Sequence, residues 1–332
     1  MRASAKFDLI DTVEAAYRVE RPTVEWLTGI LASLQPLLDD GVGLYGHTYE
    51  VDGSLRLVGA TFASLGCSEG VQAALPVVLE QGQDFVHAAY LQSDVGCASA
   101  MPGWRGSVQS DLARSMGVLD SWGINGRNLD RRGVVVIANR RRVEPLPERT
   151  AGLFTRIAAH LAAAARLRRR LGDIGGEAVL EAVMTPDGHV EHAIGEAKTR
   201  TSMAALAEAT RARESSRRRI SRRDSDHALD AWKGRVAARW TLVDSFEKDG
   251  RRFVLARENE LRVPSRGDLS PRERQVLASA ALGRTNKEIA YDLGIAHATV
   301  RVLIARAAQK LRARSRDELL SRFAETLEEP VT

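Results

Sequence analysis

Three helix-start signals fall between residues 270 and 318, and they constrain this chain more than anything else in it. Ser270-Pro271-Arg272-Glu273, Thr285-Asn286-Lys287-Glu288 and Ser315-Arg316-Asp317-Glu318 each set a short hydroxyl side chain three residues before a glutamate. In that spacing the hydroxyl and the carboxylate each satisfy a backbone N–H that the first turn of a helix leaves unpaired. Pro271 stands at a first helical position, where its missing N–H is harmless. Gly283 and Gly294 stand where the first two helices would stop. The boundaries predict a helix ending near Leu282, a short helix ending at Leu293, a turn over Gly294–His297, a helix over about Ala298–Arg312 and a fourth helix opening at Ser315.

The apolar pattern gives these helices a common core. Leu269, Val276, Leu277, Ala280, Ile289, Ala290, Leu293 and Ile295 come from the first half. On the third helix Val300, Leu303, Ile304, Ala307 and Leu311 form one stripe. The opposite face then carries Arg301, Val302, Ala305, Arg306 and Gln309. A short helix, a tight turn and a longer helix with a cationic outer face make a helix-turn-helix, whose second helix enters the major groove of double-stranded DNA. Arg301 has the geometry to donate two parallel hydrogen bonds to guanine, and Val302 suits a thymine methyl. Lys287, Arg306 and Lys310 suit phosphates, which set affinity and register rather than sequence. From Asp268 to Arg316 there are ten Lys/Arg against four Asp/Glu, in a chain whose net charge is only +5. A basic module in a near-balanced chain fits a nucleic-acid partner.

The run Leu269-Ser270-Pro271-Arg272-Glu273, Gly283-Arg284-Thr285-Asn286-Lys287-Glu288-Ile289-Ala290, Leu293-Gly294-Ile295, Thr299-Val300-Arg301 and Lys310-Leu311 resembles the LuxR-type helix-turn-helix. The resemblance implies an all-α four-helix domain over 268–325 that binds DNA as a dimer in a bacterial transcription regulator. It implies that Arg301, Val302 and Ala305 face bases and that Asn286, Lys287, Thr299 and Lys310 face the backbone. Ala296 stands where the family has a serine cap, and Leu303 where it often has His or Tyr.

The rest of the chain reads as α+β. After a lead segment over 1–20, residues 21–172 form an α/β unit with a helix over Thr23–Leu38, whose Val24, Leu27, Leu31, Leu34 and Leu38 share a face. Strands follow over Val42–Val51 and Ser54–Phe62 across Asp52-Gly53, then near Val118–Ile124 and Val134–Ala138. A long helix, Pro147–Leu171, closes the unit, and Arg166 to Arg170 place cations at the negative end of its dipole. After a linker at 172–176, a smaller unit over 177–263 reads as hairpin, helices, hairpin, with turns at Pro186-Asp187-Gly188 and Lys248-Asp249-Gly250. Within it Arg217–Arg223 is a cationic run. A second linker spans Val263–Gly267. In outline the larger unit is similar to a GAF domain and the smaller to a PAS-like fold, which implies sensing or dimerisation.

Other chemistries find no support in the residues. Gly41-Val42-Gly43-Leu44-Tyr45-Gly46 follows a helix and opens a strand, the reverse of a dinucleotide site. No P-loop and no nucleophile–base constellation is present, so no enzyme and no cofactor are expected. His189 and His192 on one strand do not make a metal site, and Cys67 and Cys97 read as small buried hydrophobes. No run reaches the length of a membrane span, and a cytoplasmic location is expected. The expected partners are double-stranded DNA and a second copy of the chain, paired through the fourth helix (Leu319, Leu320, Phe323, Leu327) or the 147–171 helix. RNA polymerase and a small-molecule ligand are further candidates. Trp26, His47, His87, Trp104 and Trp122 are the candidate lining of a ligand cavity. The competing reading makes the N-terminal units a protein-interaction module with no ligand. An enclosed apolar cavity would favour the first, and a filled core with an exposed apolar patch the second.

Overall fold

The computed structural model describes residues 9–174, 180–218, 225–248, 251–260, 263 and 268–328. The N-terminal region runs α1 (Leu9–Ala16), α2 (Thr23–Leu38), β1 (Leu44–Val51), β2 (Leu57–Val58), β3 (Phe62–Leu65), α3 (Glu69–Ala74), α4 (Gln83–Val86), β4 (Val95–Cys97), α5 (Val108–Ser115), β5 (Asp120–Arg127), β6 (Arg132–Arg140) and α6 (Glu148–Ile174). Strand alternation fixes its centre. On β6, Val134, Val136 and Ala138 face one side, Val135 and Ile137 the other, and all five are buried. Both faces of the sheet are therefore covered. β6 pairs antiparallel with β1 on one side and β5 on the other, and β4 closes that edge. At the far edge β2 and β3 share β1 as partner. The expected strand over Ser54–Phe62 is thus two short strands, with Gly59 at φ +64° in the break.

On the first face lie α1, α2 and α6. α2 buries Leu27, Leu31, Leu34 and Leu38 as its periodicity predicts, but Val24, in its first turn, stays 52% exposed. α6 rests directly on β5 at Gly126, where a Cβ would stand 2.6 Å from Ala162 N. Only glycine permits that approach. The lead segment is not peripheral: Leu9, Ile10, Val13 and Ala16 of α1 are fully buried in the same core.

The second face is covered by residues 69–115, which sequence periodicity leaves blank. The layer is built from α3, a 3-10 stretch over Leu75–Glu80, α4 continuing into a π-helical turn over His87–Gln92, and α5. Beneath it lie two small cavities of about 70 and 60 Å3. Tyr45, Gln81, Trp104 and Ser121 line both. Gln81 Oε1 is buried there with no hydrogen-bond partner among the described residues. Of the expected lining residues only Trp104 is in place. Trp26 belongs to the other core, His87 is exposed, Trp122 lies under Arg140, and His47 is buried behind Tyr90.

The smaller unit comprises β7 (Leu180–Met184), β8 (Val190–Ala193), α7 (Arg200–Arg217), α8 (Ser225–Ala231), β9 (Trp240–Lys248) and β10 (Arg251–Glu258). Its antiparallel sheet has the order β8-β7-β10-β9, so both hairpins form as expected. α8 ends at Ala231. One sheet face packs on Leu206 of α7. From the other, Val243 and Leu255 enter the core of the first unit beside α1 and α6. The two units therefore share a core, and α6 itself runs to Ile174 through the start of the expected linker, whose remainder lies outside the described residues.

The arginines near the end of α6 work as internal clamps. Arg166 donates to Asn128 Oδ1 (2.5 Å) and Asn259 Oδ1 (2.9 Å). Arg168 donates to the carbonyls of Val19 and Arg21, both at 2.7 Å, and lies over the Trp26 ring. Arg169 pairs with Asp130 and Arg170 with Glu258. Arg217 pairs with Glu14, while 219–223 of the cationic run lie outside the described residues. Cys67 and Cys97 are free and buried, and burial pushes the Cys67 thiol up to about 11.

Candidate nucleic-acid interface

The four C-terminal helices are α9 (Pro271–Ala281), α10 (Asn286–Leu293), α11 (His297–Lys310) and α12 (Arg316–Glu328). The first two capping boxes form in full. The third forms by half: Glu318 N–H donates to Ser315 Oγ, but the Glu318 carboxylate receives the N–H of Arg314. Gly294 ends α10 in the left-handed region at φ 61°. Ala296 caps α11 with no side-chain hydrogen bond. Val300 and Ala307 are buried and Leu303, Ile304 and Leu311 half-buried, which is the expected stripe.

The outer face of α11 is open. Arg301, Val302, Ala305, Arg306 and Gln309 are all exposed, Val302 at 48%. Thr299 and Lys287 are exposed beside them at the starts of α11 and α10. Asn286 is half-buried, with its Oδ1 accepting from Arg316 at 3.0 Å. Lys310 is differently placed. Its Nζ lies 2.7 Å from Glu273 Oε2 and 3.1 Å from the Asp268 carbonyl, so the ammonium ties α11 to the α9 cap. Two further cations turn inward: Arg274 donates to the Leu269 carbonyl (2.5 Å), and Arg284 is buried at the domain boundary. The outward field is therefore weaker than the charge count suggests. α12 spends Leu319 and Phe323 in the domain's own core, with Leu320 partly buried, so the surplus of apolar surface expected there is absent from these three; the Leu327 side chain lies outside the described residues.

Residues 268–323 match the family model described as bacterial regulatory proteins, luxR family. They form a luxR-type helix-turn-helix domain. The chain is 44% identical over 59 residues to nodulation protein W of Bradyrhizobium diazoefficiens, covering 18% of this chain and 26% of that protein. It is 52% identical over 52 residues to the transcriptional regulatory protein FixJ of Azorhizobium caulinodans, covering 16% and 25%. The chain thus spans about a quarter of the length of these relatives. Over nearly the whole chain, Escherichia coli SdiA aligns at TM-score 0.34 with 13% identity, covering 96% of each chain. SdiA in complex with octanoyl-rac-glycerol aligns at 0.30 with 12% identity, covering 98% and 97%.

The luxR-type domain is docked on the rest of the chain through the end of α10. Asp292 Oδ2 accepts from Arg235 Nη2 (2.9 Å) and Arg284 Nη1 (3.0 Å), and Arg235 Nε donates to the Asp292 carbonyl (3.2 Å). All three side chains are 6% exposed or less. Burial pushes Asp292 up, but Arg235, Arg284 and Arg166 together outweigh it and hold the carboxyl below its ordinary value. Tyr291 Oη lies 2.8 Å from the Leu229 carbonyl and 2.9 Å from His160 Nε2. Ala238 N–H donates to the Leu293 carbonyl at 2.6 Å. A Cβ at Gly294 would stand 1.8 Å from the Arg235 carbonyl, so the turn of the helix-turn-helix admits only glycine here. Sequence reasoning missed these residues. Asp292 and Tyr291 look like the polar face of a short helix, and their partners lie 57 and 131 residues away.

Proposed function

We propose that this chain is a bacterial transcription regulator that binds double-stranded DNA with α11 in the major groove. The observation that carries the reading is the exposure of Arg301, Val302, Ala305 and Arg306 on one face of α11, while the opposite stripe is buried or half-buried and the end of α10 is buried. Docking leaves this face free, so the seated domain is ready to read bases. Occlusion of α11 by the N-terminal units finds no support in this arrangement. Arg301 and Val302 are the base readers, with Ala305 beside them. Lys287, Thr299, Arg306 and the free amide of Asn286 hold phosphates. Lys310 has a weaker claim than the others, because a salt bridge already holds it. A second copy of the chain on a paired site would raise local concentration.

The N-terminal region we read as a sensor of a small, mainly apolar molecule. The two cavities together are smaller than the space a drug-sized ligand fills. They become one if Trp104 or Gln81, which line both, turns aside. The unpartnered Gln81 Oε1 gives such a ligand one acceptor to meet, because buried polar atoms are rarely left unpaired. This favours a ligand over a purely protein-interaction role.

Arg301→Ala should lose about 1–3 kcal/mol of binding on a preferred duplex and tolerate any base at one position. Lys287→Ala should weaken preferred and scrambled duplexes about equally. Equal losses on both duplexes for Arg301→Ala would remove it from the base readers.

A further inference from the structure

The segment that walls the larger cavity also holds the luxR-type domain in its seat. Ala89, Tyr90, Ser93 and Val95 line that cavity. Asp94 sits between the last two and points the other way. Its Oδ1 takes Arg127 Nε at 2.5 Å, and its Oδ2 takes Arg284 Nε of the luxR-type domain at 3.3 Å. Its carbonyl accepts the N–H of Asn125, another lining residue, at 2.7 Å. The π-helical turn contributes as well: Arg127 Nη1 donates to the Leu91 carbonyl, and Arg127 Nη2 crosses to the Leu282 carbonyl at the end of α9 (2.5 Å). Arg284 passes the chain on to Asp292, and Asp292 to Arg235. Asp94, Arg127, Arg284, Asp292 and Arg235 therefore form one buried ionic chain from the cavity wall to the turn of the helix-turn-helix.

We propose that Asp94 couples the cavity to the seating of the luxR-type domain. A group entering the cavity displaces Ser93 and Val95, and Asp94 moves with them. Arg127 and Arg284 then lose a buried carboxylate at good geometry. No long relay is needed, because the residue that lines and the residue that latches are neighbours in sequence. Charged pairs this deep are sensitive to small shifts, since a partly paired buried ion is far worse placed than a fully paired one. The coupling rests on the sensor reading above only for what fills the cavity in the cell.

Hydrogen exchange on the full chain tests it without a ligand. The Ala238 amide, bonded across the boundary to Leu293, reports seating, and the amides of β6 report the fold. Asp94→Asn should speed exchange at Ala238 roughly tenfold or more while β6 stays protected, since a charge-assisted bond is lost. Arg284→Gln breaks this pair together with the one to Asp292 and should give the same signature, at least as large, if Asp94→Asn does not fold. The cavity probe is Gly123→Leu, whose Cβ would meet only the Gly96 carbonyl, at 3.9 Å. It should change exchange at Ala238 in the parent chain and leave it unchanged in the Asp94→Asn chain. The proposal is overturned if Asp94→Asn and Arg284→Gln leave Ala238 as protected as before. It is equally overturned if Gly123→Leu has no effect there, or the same effect in both backgrounds. A ligand screen that finds nothing would count against the sensor reading alone.

Discussion

Asp292→Ala is expected to unseat the luxR-type domain. Removing one member of a buried ion pair strands the other, and the typical loss is about 3–5 kcal/mol. Here the stranded group is Arg235, with no exposed surface, while Arg284 keeps Asp94. Separation relieves the penalty by returning Arg235 to water. The domain's own core, built on Val276, Leu277, Ile289, Val300 and Phe323, does not depend on that contact. The chain should therefore expand while keeping its helix and strand content. Small-angle scattering with circular dichroism distinguishes this from general unfolding. An unchanged radius of gyration and an unchanged melting temperature would show that the buried pair does not hold the domain. Asp292→Asn, which keeps the shape and removes the charge, should act in the same direction.

Acid should destabilise the chain well before its carboxylates titrate. Burial lowers His47 to about 4 and His160 to about 3, from an ordinary 6.5. His47 Nδ1–H donates to the Thr48 carbonyl (3.1 Å), and Nε2 accepts from Tyr90 (3.1 Å). His160 sits between Tyr17 and Tyr291, both at 2.9 Å. Among the described residues neither hydrogen-bonds to a carboxylate that would stabilise a second proton, and the Asp292 charge, which favours one on His160, is outweighed by burial. A folded-state value below the unfolded one means that the unfolded chain binds the proton first. The stability is thus present above about pH 6.5 and falls as pH drops from there toward 3–4. Between pH 7 and pH 5 each histidine removes about 2 kcal/mol, roughly 4 kcal/mol for the two. Asp292, held low, adds a further loss only at more acidic pH. Urea unfolding at pH 7, 6 and 5 measures the slope. A stability that is flat over this range would mean that the two imidazoles are hydrated or already paired.

The parts of the molecule that sequence exposes are those whose determinants are local. Ser270 with Glu273, and Thr285 with Glu288, write their helix starts within four residues. Both formed as read, and so did the hairpins at Asp52-Gly53 and Pro186-Asp187-Gly188. The α11 stripe follows from helical period alone. The layer over 69–115 was hidden because α3, α4 and the turns between them are too short to show a period, and Pro76 and Gly82 break what there is. The shared core of the two N-terminal units was hidden for a different reason. Leu255 and Val243 read as ordinary strand residues, and nothing near them in sequence says that α1 and α6 cover their face. Periodicity puts Arg301 and Val302 on the outer face of α11, where both are exposed. It could not foresee that Arg284 turns inward to Asp94, 190 residues away, or that Lys310 closes on Glu273. Charge counts treat every cation as outward, and packing decides otherwise.

The open face of α11 is expected to read DNA sequence. This is tested most directly by selecting duplexes from a random pool with the intact chain and with Arg301→Ala in parallel. The intact chain should enrich a defined motif, with binding that weakens steeply as salt rises. Arg301→Ala should enrich the same motif with one position, normally guanine, left open. Enrichment of no sequence over the starting pool, or an identical motif from both proteins, would contradict this reading.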